Sequence, residues 1–192
     1  VHLVLQDAGL KEILVPPTFP FLHAARLQEL GYRLRTKREP FYEQRVTKSA
    51  EEVRHIEAAQ RATETAVAAA HQSLRRAEIR DHVLWLDGEV LTSERVKKLI
   101  NVSLMESGCI AQHTIVAGGE QACDPHNEGS GPLPAHRSII FDVFPRSADS
   151  RYFADMSRTV VRGTPSPELT RLYYAVKDAQ EEAITKIRDG AD

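Results

Sequence analysis

The sequence lacks most of the features that mark specialised classes of protein. Its 192 residues include only two cysteines, Cys109 and Cys123, which form neither a CxxC pair nor a zinc-binding spacing. We therefore expect reduced thiols in a cytoplasmic protein rather than a disulfide framework. The longest apolar runs, such as 66–70, are far shorter than the roughly 20 residues that a membrane span needs. A net charge of −2 at pH 7 gives no reason to expect nucleic acid or an anionic membrane as a partner.

What remains is a balanced composition. Hydrophobic residues make up 42% of the chain and charged residues 27%, which is typical of a folded globular protein. Residues 1–40 alternate short segments that are interrupted at Gly9, Pro16 and Gly31, a pattern typical of the tail of an α/β domain. The segments predicted there are strands at 12–15 and 32–35 and a helix at 19–30.

Residues 41–192 show a different order of elements. Apolar residues recur on one helical stripe of a long first segment, and later runs of apolar residues are typical of strands. The order helix, helix, strand, strand, strand, helix predicts an α+β fold, with helices covering an antiparallel sheet. The predicted elements are helices at about 49–80, from 92 or 93 to 108 and at 166–188, a break at 85–88, and strands at 114–117, 138–144 and 152–161.

Two of the predicted strands each contain an aspartate among apolar residues, Asp142 and Asp155. Aspartate is depleted in strands and is rarely buried without a partner. If the strands form a hairpin whose turn is centred between Ala148 and Asp149, Asp142 lies directly opposite Asp155 on the same face. Opposed side chains have Cβ atoms about 5 Å apart, and like charges at that distance destabilise a sheet.

Several arrangements could offset this repulsion. The two carboxyl groups could share a proton, or divalent metal ions could bridge them. Arg158 could also neutralise them, although strand parity places its side chain on the opposite face of the sheet. The strand pattern alone also allows one aspartate to lie solvated at a strand end. His126, on the Gly- and Pro-rich loop 123–134, is a candidate acid, base or oxyanion-stabilising group, although a lone loop histidine is more commonly a surface residue.

Taken together, these residues resemble the pita-bread metallopeptidases, the family of Xaa-Pro aminopeptidases, prolidases, methionine aminopeptidases and creatinase. The resemblance rests on a Pro-His pair at 125–126, on Asp142 within its strand, and on the run Asp-Met-Ser-Arg-Thr at 155–159, which is its most specific match. The run Lys-Ser-x-x-Glu at 48–52 also resembles the opening of the catalytic domain in the Xaa-Pro branch.

This resemblance implies a fold and a metal site. Residues 41–192 would be the N-terminal half of the catalytic pita-bread domain, preceded by residues 1–40 as the tail of an α/β N-terminal domain. Asp142 would bind one divalent ion bidentately and Asp155 would bridge two ions, while His126 would be catalytic through its place near the substrate. Manganese is the favoured metal, with cobalt and zinc as the other candidates. The resemblance further implies a peptide substrate and a homodimer.

The family completes its site with one more histidine and two glutamates, for which this sequence has few candidates. No histidine follows His136, and the later glutamates fall on an amphipathic helix where we expect them to face solvent: Glu168, Glu181 and Glu182. We therefore expect a fragment with half a metal site that is inactive alone and self-associates through uncovered apolar surface. Two alternatives are a non-catalytic pita-bread scaffold that binds a partner and a creatinase-like C–N hydrolase, against which Asp142 and Asp155 argue.

Overall fold

Two units make up the computed structural model, Val1–Ala50 and Glu51–Asp192, and residues 1–38 and 40–191 are described. The first unit contains helix α1 (His2–Asp7), strand β1 (Glu12–Val15), helix α2 (Phe21–Glu29) and strand β2 (Arg33–Thr36). Strands β1 and β2 pair in parallel and α2 connects them, so this segment is an α/β unit, as its sequence predicted.

The second unit begins with helix α3 (Ala50–Arg76), whose alanine stripe is buried. The helix ends four residues earlier than predicted, because strand β3 (Glu78–Arg80) pairs with strand β4 (Val83–Leu86), which pairs in turn with strand β5 (Glu89–Val90). The predicted break at 85–88 is therefore partly strand. Both hairpin turns, at 81–82 and 87–88, have positive φ at their two central residues, which is typical of type I′ turns.

Helix α4 (Ser93–Glu106) begins at a capping residue, as predicted. The Thr92 hydroxyl accepts a hydrogen bond from the backbone N–H of Arg95. Three apolar residues spaced along one face of α4 are fully buried: Val96, Ile100 and Leu104. Strand β6 (Cys109–Ile110) follows the helix, and Cys109 is buried while Cys123 is exposed, both as free thiols.

The central sheet contains strands β7 (Ile115–Gly118), β8 (Ser138–Val143) and β10 (Met156–Val161), in the order β10–β8–β7 and antiparallel throughout. Short strand β9 (Arg146–Ser147) leaves this sheet to pair with β6. Ile139, Phe141 and Val143 on one face of β8 are fully buried and join the core to which α3 and α4 contribute. The predicted α+β class, with helices covering an antiparallel sheet, is confirmed.

The last element is helix α5 (Pro167–Lys186), which begins where the sequence predicted. Its N-cap Ser166 accepts a hydrogen bond from the backbone N–H of Leu169, and proline occupies the first turn. None of the helical residues of α5 is buried. Among the described residues, no helix combines the length and apolar character required to cross a bilayer.

Candidate metal centre

Strand β8 holds Asp142 at the face of the sheet that turns away from the buried core. Residues on either side of Asp142 are fully buried, whereas Asp142 itself is half-buried, because alternate side chains of a strand point to opposite faces. Directly across the hairpin lies Ser157, whose hydroxyl donates a 2.6 Å hydrogen bond to Oδ1 of Asp142. One carboxylate oxygen of Asp142 is therefore oriented by a neighbouring side chain.

The predicted direct pairing of Asp142 with Asp155 is wrong by two residues. The hairpin centre falls one residue later than predicted, because Ser147 pairs through its backbone N–H with the carbonyl of Tyr152 across the loop 148–151. This loop ends at Arg151, which has a left-handed backbone (φ 67°) that a non-glycine residue rarely adopts. Because alternate residues of a strand point to the same face, a register shift of two residues leaves Asp155 on the same face of the sheet as Asp142. Asp155 then lies diagonally from Asp142 rather than directly opposite it.

Asp155 lies one residue before β10, outside the ladder of hydrogen bonds, and is exposed. Partial burial raises the pKa of the Asp155 carboxyl, and the like charge of Asp142 raises it further. The charge of Asp142 therefore acts on Asp155 across the face of the sheet. A bound cation would relieve this repulsion.

Arg158 does not relieve the repulsion between the two carboxylates. The residue opposite Arg158 in the hairpin is Phe141, whose side chain belongs to the buried face, so Arg158 projects from the side of the sheet away from Asp142, as parity predicted. Its guanidinium donates to the carbonyl of Ser157 instead. The structure therefore does not support neutralisation by Arg158. It agrees with the alternative in which the register shifts and one aspartate is exposed at a strand end, because Asp155 is exposed just before β10.

His126 lies on the loop between β7 and β8, apart in sequence from the two aspartates. His126 is exposed in the turn that follows the 3₁₀ segment Gly119–Cys123, and its backbone N–H donates to Oδ1 of Asp124. Within the described ranges, no hydrogen bond joins its imidazole to Asp142 or Asp155. The role of His126 near a substrate stays a prediction.

The donor set fits a divalent ion in kind but is incomplete. Carboxylate oxygens are hard ligands that suit manganese and similar ions. In the part of the chain that the structure describes, no group of three or more His, Cys, Asp or Glu side chains is placed to hold one. The late glutamates form ion pairs with basic residues of α5, namely Glu168 with Arg171, Glu181 with Lys177 and Glu182 with Lys186.

The sequence analysis did not anticipate two hydrogen bonds near the aspartates, one donated by Ser157 and one by Tyr152. Ser157 lies inside the Asp-Met-Ser-Arg-Thr run at 155–159. The correct register of the hairpin would have identified Ser157 as the partner of Asp142. Tyr152 donates from its hydroxyl to Oε1 of Glu52 at 2.7 Å, a contact between residues 100 positions apart that no local pattern signals.

Comparison with known proteins places these features in a family. Metallopeptidase family M24 matches residues 54–192. An uncharacterised peptidase of Staphylococcus haemolyticus is 37% identical over 78 residues, which are 40% of this chain and 22% of that protein. Its counterpart in Staphylococcus epidermidis is 35% identical over the same length.

Solved structures are similar in fold. The prolidase from Pyrococcus furiosus superposes with a TM-score of 0.74 at 22% identity, covering 89% of this chain and 48% of that one. The X-Pro aminopeptidase from Thermotoga maritima MSB8 superposes with a TM-score of 0.75 at 22% identity, covering 94% of this chain and 48% of that one. The chain therefore spans about half the length of these structures, and the pita-bread fold that the sequence predicted is confirmed over that half.

Proposed function

Because the chain belongs to metallopeptidase family M24, we propose that it forms half of the metal centre of a peptidase that hydrolyses a peptide bond near the N-terminus of a peptide. The observation that carries this proposal is the placement of Asp142 and Asp155 on one face of the central sheet, close enough for the charge of one to raise the pKa of the other. A divalent cation bound between the two carboxylates would offset the repulsion between their like charges.

Each residue of the site has a proposed task. Asp142 and Asp155 hold two divalent ions, for which manganese is favoured over cobalt and zinc. Bound there, such ions would supply Lewis acidity and lower the pKa of a water molecule. Ser157 orients the Asp142 carboxylate through its 2.6 Å hydrogen bond, and His126 contacts the carbonyl of the substrate.

The substrate class is proposed from the neighbours in fold. Among them are a prolidase and an X-Pro aminopeptidase, so we propose an Xaa-Pro peptide as substrate. We also propose that the functional protein is a cytoplasmic homodimer, in which residues 1–40 end an α/β domain and residues 41–192 begin the catalytic domain.

The 192-residue chain should be inactive by itself. An oxygen-ligated Mn²⁺ ion takes about six ligands, and no three metal-binding side chains come together among the described residues. We expect weak metal binding by the chain and no turnover of an Xaa-Pro dipeptide in the presence of Mn²⁺. Full turnover by the purified chain would contradict the proposed half site.

A metal titration tests the proposal directly. Free Mn²⁺ is followed by electron paramagnetic resonance as the chain is added, for wild type, Asp142→Asn and Asp155→Asn. Both variants should lose at least about tenfold in affinity, because each removes a charged ligand. The matched control is Asp149→Asn, an exposed aspartate in the loop of the same hairpin, which should bind like wild type. Equal binding by all four proteins would favour the non-catalytic scaffold instead.

A further inference from the structure

The segment that leads into Asp155 is attached to the beginning of helix α3. Tyr152 lies three residues before Asp155, and its hydroxyl donates a 2.7 Å hydrogen bond to Oε1 of Glu52. The ring of Tyr152 stacks on the imidazole of His55, with centroids 5.5 Å apart and planes inclined by 16°. We name Glu52, His55 and Tyr152 the α3 clamp.

The backbone on both sides of this contact is also held. The carbonyl of Tyr152 accepts from the N–H of Ser147 at 2.9 Å, and the N–H of Ala154 donates to the carbonyl of Pro145 at 3.0 Å. Asp155 itself precedes β10, whose ladder begins at Met156. Asp155 is thus flanked by hairpin pairs on both sides, Met156 with Val143 and Phe153 with Arg146, and the contact of Tyr152 with Glu52 ties this part of the hairpin to helix α3.

The clamp is anchored on a rigid element. Glu52 lies in the first turn of the 27-residue helix α3, where the helix dipole stabilises a carboxylate. A carboxylate that accepts from a hydroxyl makes a charge-assisted hydrogen bond, which is stronger and more directional than a neutral one. Helix α3 in turn is fixed by buried alanines, including Ala59 and Ala66.

We propose that the α3 clamp is a positioning site that sets the location of the Asp155 carboxylate relative to Asp142. This inference rests on the proposed metal-binding role of the two aspartates. None of the three clamp residues is a proposed metal ligand, and they act only through the short segment 152–155. Because a displacement of about 1 Å at a reacting centre can cost about 100-fold in rate, a remote hydrogen bond of this kind can govern a metal site.

The first experiment measures Mn²⁺ affinity of the full 192-residue chain by paramagnetic resonance. Tyr152→Phe, which removes only the hydroxyl, should weaken binding about tenfold, as loss of an outer-shell contact does. Glu52→Ala should have the same effect, and the double variant should be no weaker than either single one, because both remove the same contact. Glu52→Gln, which keeps an oxygen acceptor, should restore part of the affinity.

Two controls separate positioning from general stability. Tyr174→Phe makes the same chemical change at an exposed tyrosine of α5 and should leave Mn²⁺ affinity unchanged. Ile100→Val removes one methylene from a fully buried side chain of α4 and should lower stability by about 1 kcal/mol while leaving the affinity unchanged. If Ile100→Val weakens binding as much as Tyr152→Phe does, the clamp acts only through the fold and the proposal is overturned.

The second experiment needs no metal. In Tyr152→Phe the backbone amide of Ala154 should exchange with solvent about fivefold faster or more, because the segment has lost one hydrogen bond. Unchanged exchange at Ala154 would overturn the clamp whatever the metal titration shows. Faster exchange at Ala154 together with equal Mn²⁺ binding by wild type and Asp155→Asn would support the clamp and contradict the proposed metal site.

Discussion

The hydroxyl group of Ser157 orients the carboxylate of Asp142. The Ser157 Oγ–H group donates to Oδ1, which leaves the other carboxylate oxygen without this constraint and directs the group across the sheet face. Ligands of metal ions are commonly oriented by such partners, and removal of one partner costs about 10- to 100-fold in affinity. Ser157 is therefore the uncharged residue whose hydrogen bond we expect to matter most for the proposed metal site.

We expect Ser157→Ala to weaken Mn²⁺ binding by the chain about tenfold, because the Asp142 carboxylate loses the donor that orients it. Isothermal titration calorimetry with MnCl₂ measures this change. The control is Ser138→Ala at the far end of the same pair of strands, on β8 opposite Val161, which should bind like wild type. Equal affinities for the two variants would show that Ser157 has no orienting role.

Helix α4 is connected at its N-terminus to the loop before β8. The backbone N–H of Gly131 donates to both carboxylate oxygens of Glu94, at 3.0 and 3.2 Å, and this contact holds the pKa of Glu94 below its ordinary value. The charged form of Glu94 is thus favoured in the folded state. Its contribution to stability is present above the unfolded-state pKa of about 4.3 and is lost as the pH falls through the lower folded-state pKa.

Glu94→Gln should therefore be less stable than wild type at pH 7 by about 0.5 kcal/mol, the usual worth of an acid in a first helical turn. The difference should vanish at acidic pH, below the folded-state pKa of Glu94. Urea denaturation at a series of pH values measures it. The control is Glu106→Gln at the last turn of the same helix. If Glu94→Gln remained equally less stable than wild type at acidic pH, the charge of Glu94 would not be the cause of the difference in stability.

The loop that carries His126 depends on one glycine. Gly129 has φ 78°, and a Cβ atom there would lie 1.9 Å from the carbonyl oxygen of Val116 in β7. Gly131, two residues later, has φ 71°, and a Cβ atom there would meet nothing within 4 Å. The two glycines share a left-handed backbone and differ in the space around them.

Substitution by alanine separates these two effects. Gly131→Ala should cost about 1 kcal/mol for the left-handed backbone alone. Gly129→Ala should cost about 2 kcal/mol more, because the methyl group must displace the backbone of β7. Urea denaturation compares the two variants. Equal losses of stability would mean that the loop moves away from β7 without cost.

Taken as a whole, the chain exposes an unusual amount of apolar surface on its last helix. Leu172 and Val176 are each 62% exposed, and they lie on one stripe of α5 with Tyr173 and Ile184. The chain spans about half the length of the solved structures that share its fold. Large apolar patches on a folded protein favour association.

We therefore expect the isolated chain to self-associate at micromolar concentration, which multi-angle light scattering detects. Leu172→Glu should shift the distribution toward monomer, since it places a charge in the apolar stripe of α5. The matched control, Thr185→Glu, adds the same charge to the same helix outside that stripe and should behave like wild type. A monodisperse wild-type monomer would contradict this expectation.

Much of the architecture was determined locally. Strand β1 occupies the predicted residues, α5 begins at its predicted cap, and the alternation along β8 placed Asp142 and Asp155 on one face even though the register was wrong. Each of these depends on periodicity or capping within a few residues. Strand β3 was missed because the predicted helix was extended to residue 80, whereas the left-handed turn at 87–88 falls within the predicted break at 85–88.

The contacts around the two aspartates were decided only by the tertiary structure. The hairpin closes over the loop 148–151, which contains the left-handed Arg151, and arginine carries no sequence signal for that backbone. The resulting register makes Ser157 rather than Asp155 the partner of Asp142. Glu52 meets Tyr152 across 100 residues because α3 packs over the sheet that the hairpin belongs to. Side-chain parity is a property of the local backbone, whereas pairing between distant residues exists only once the core has brought their elements together.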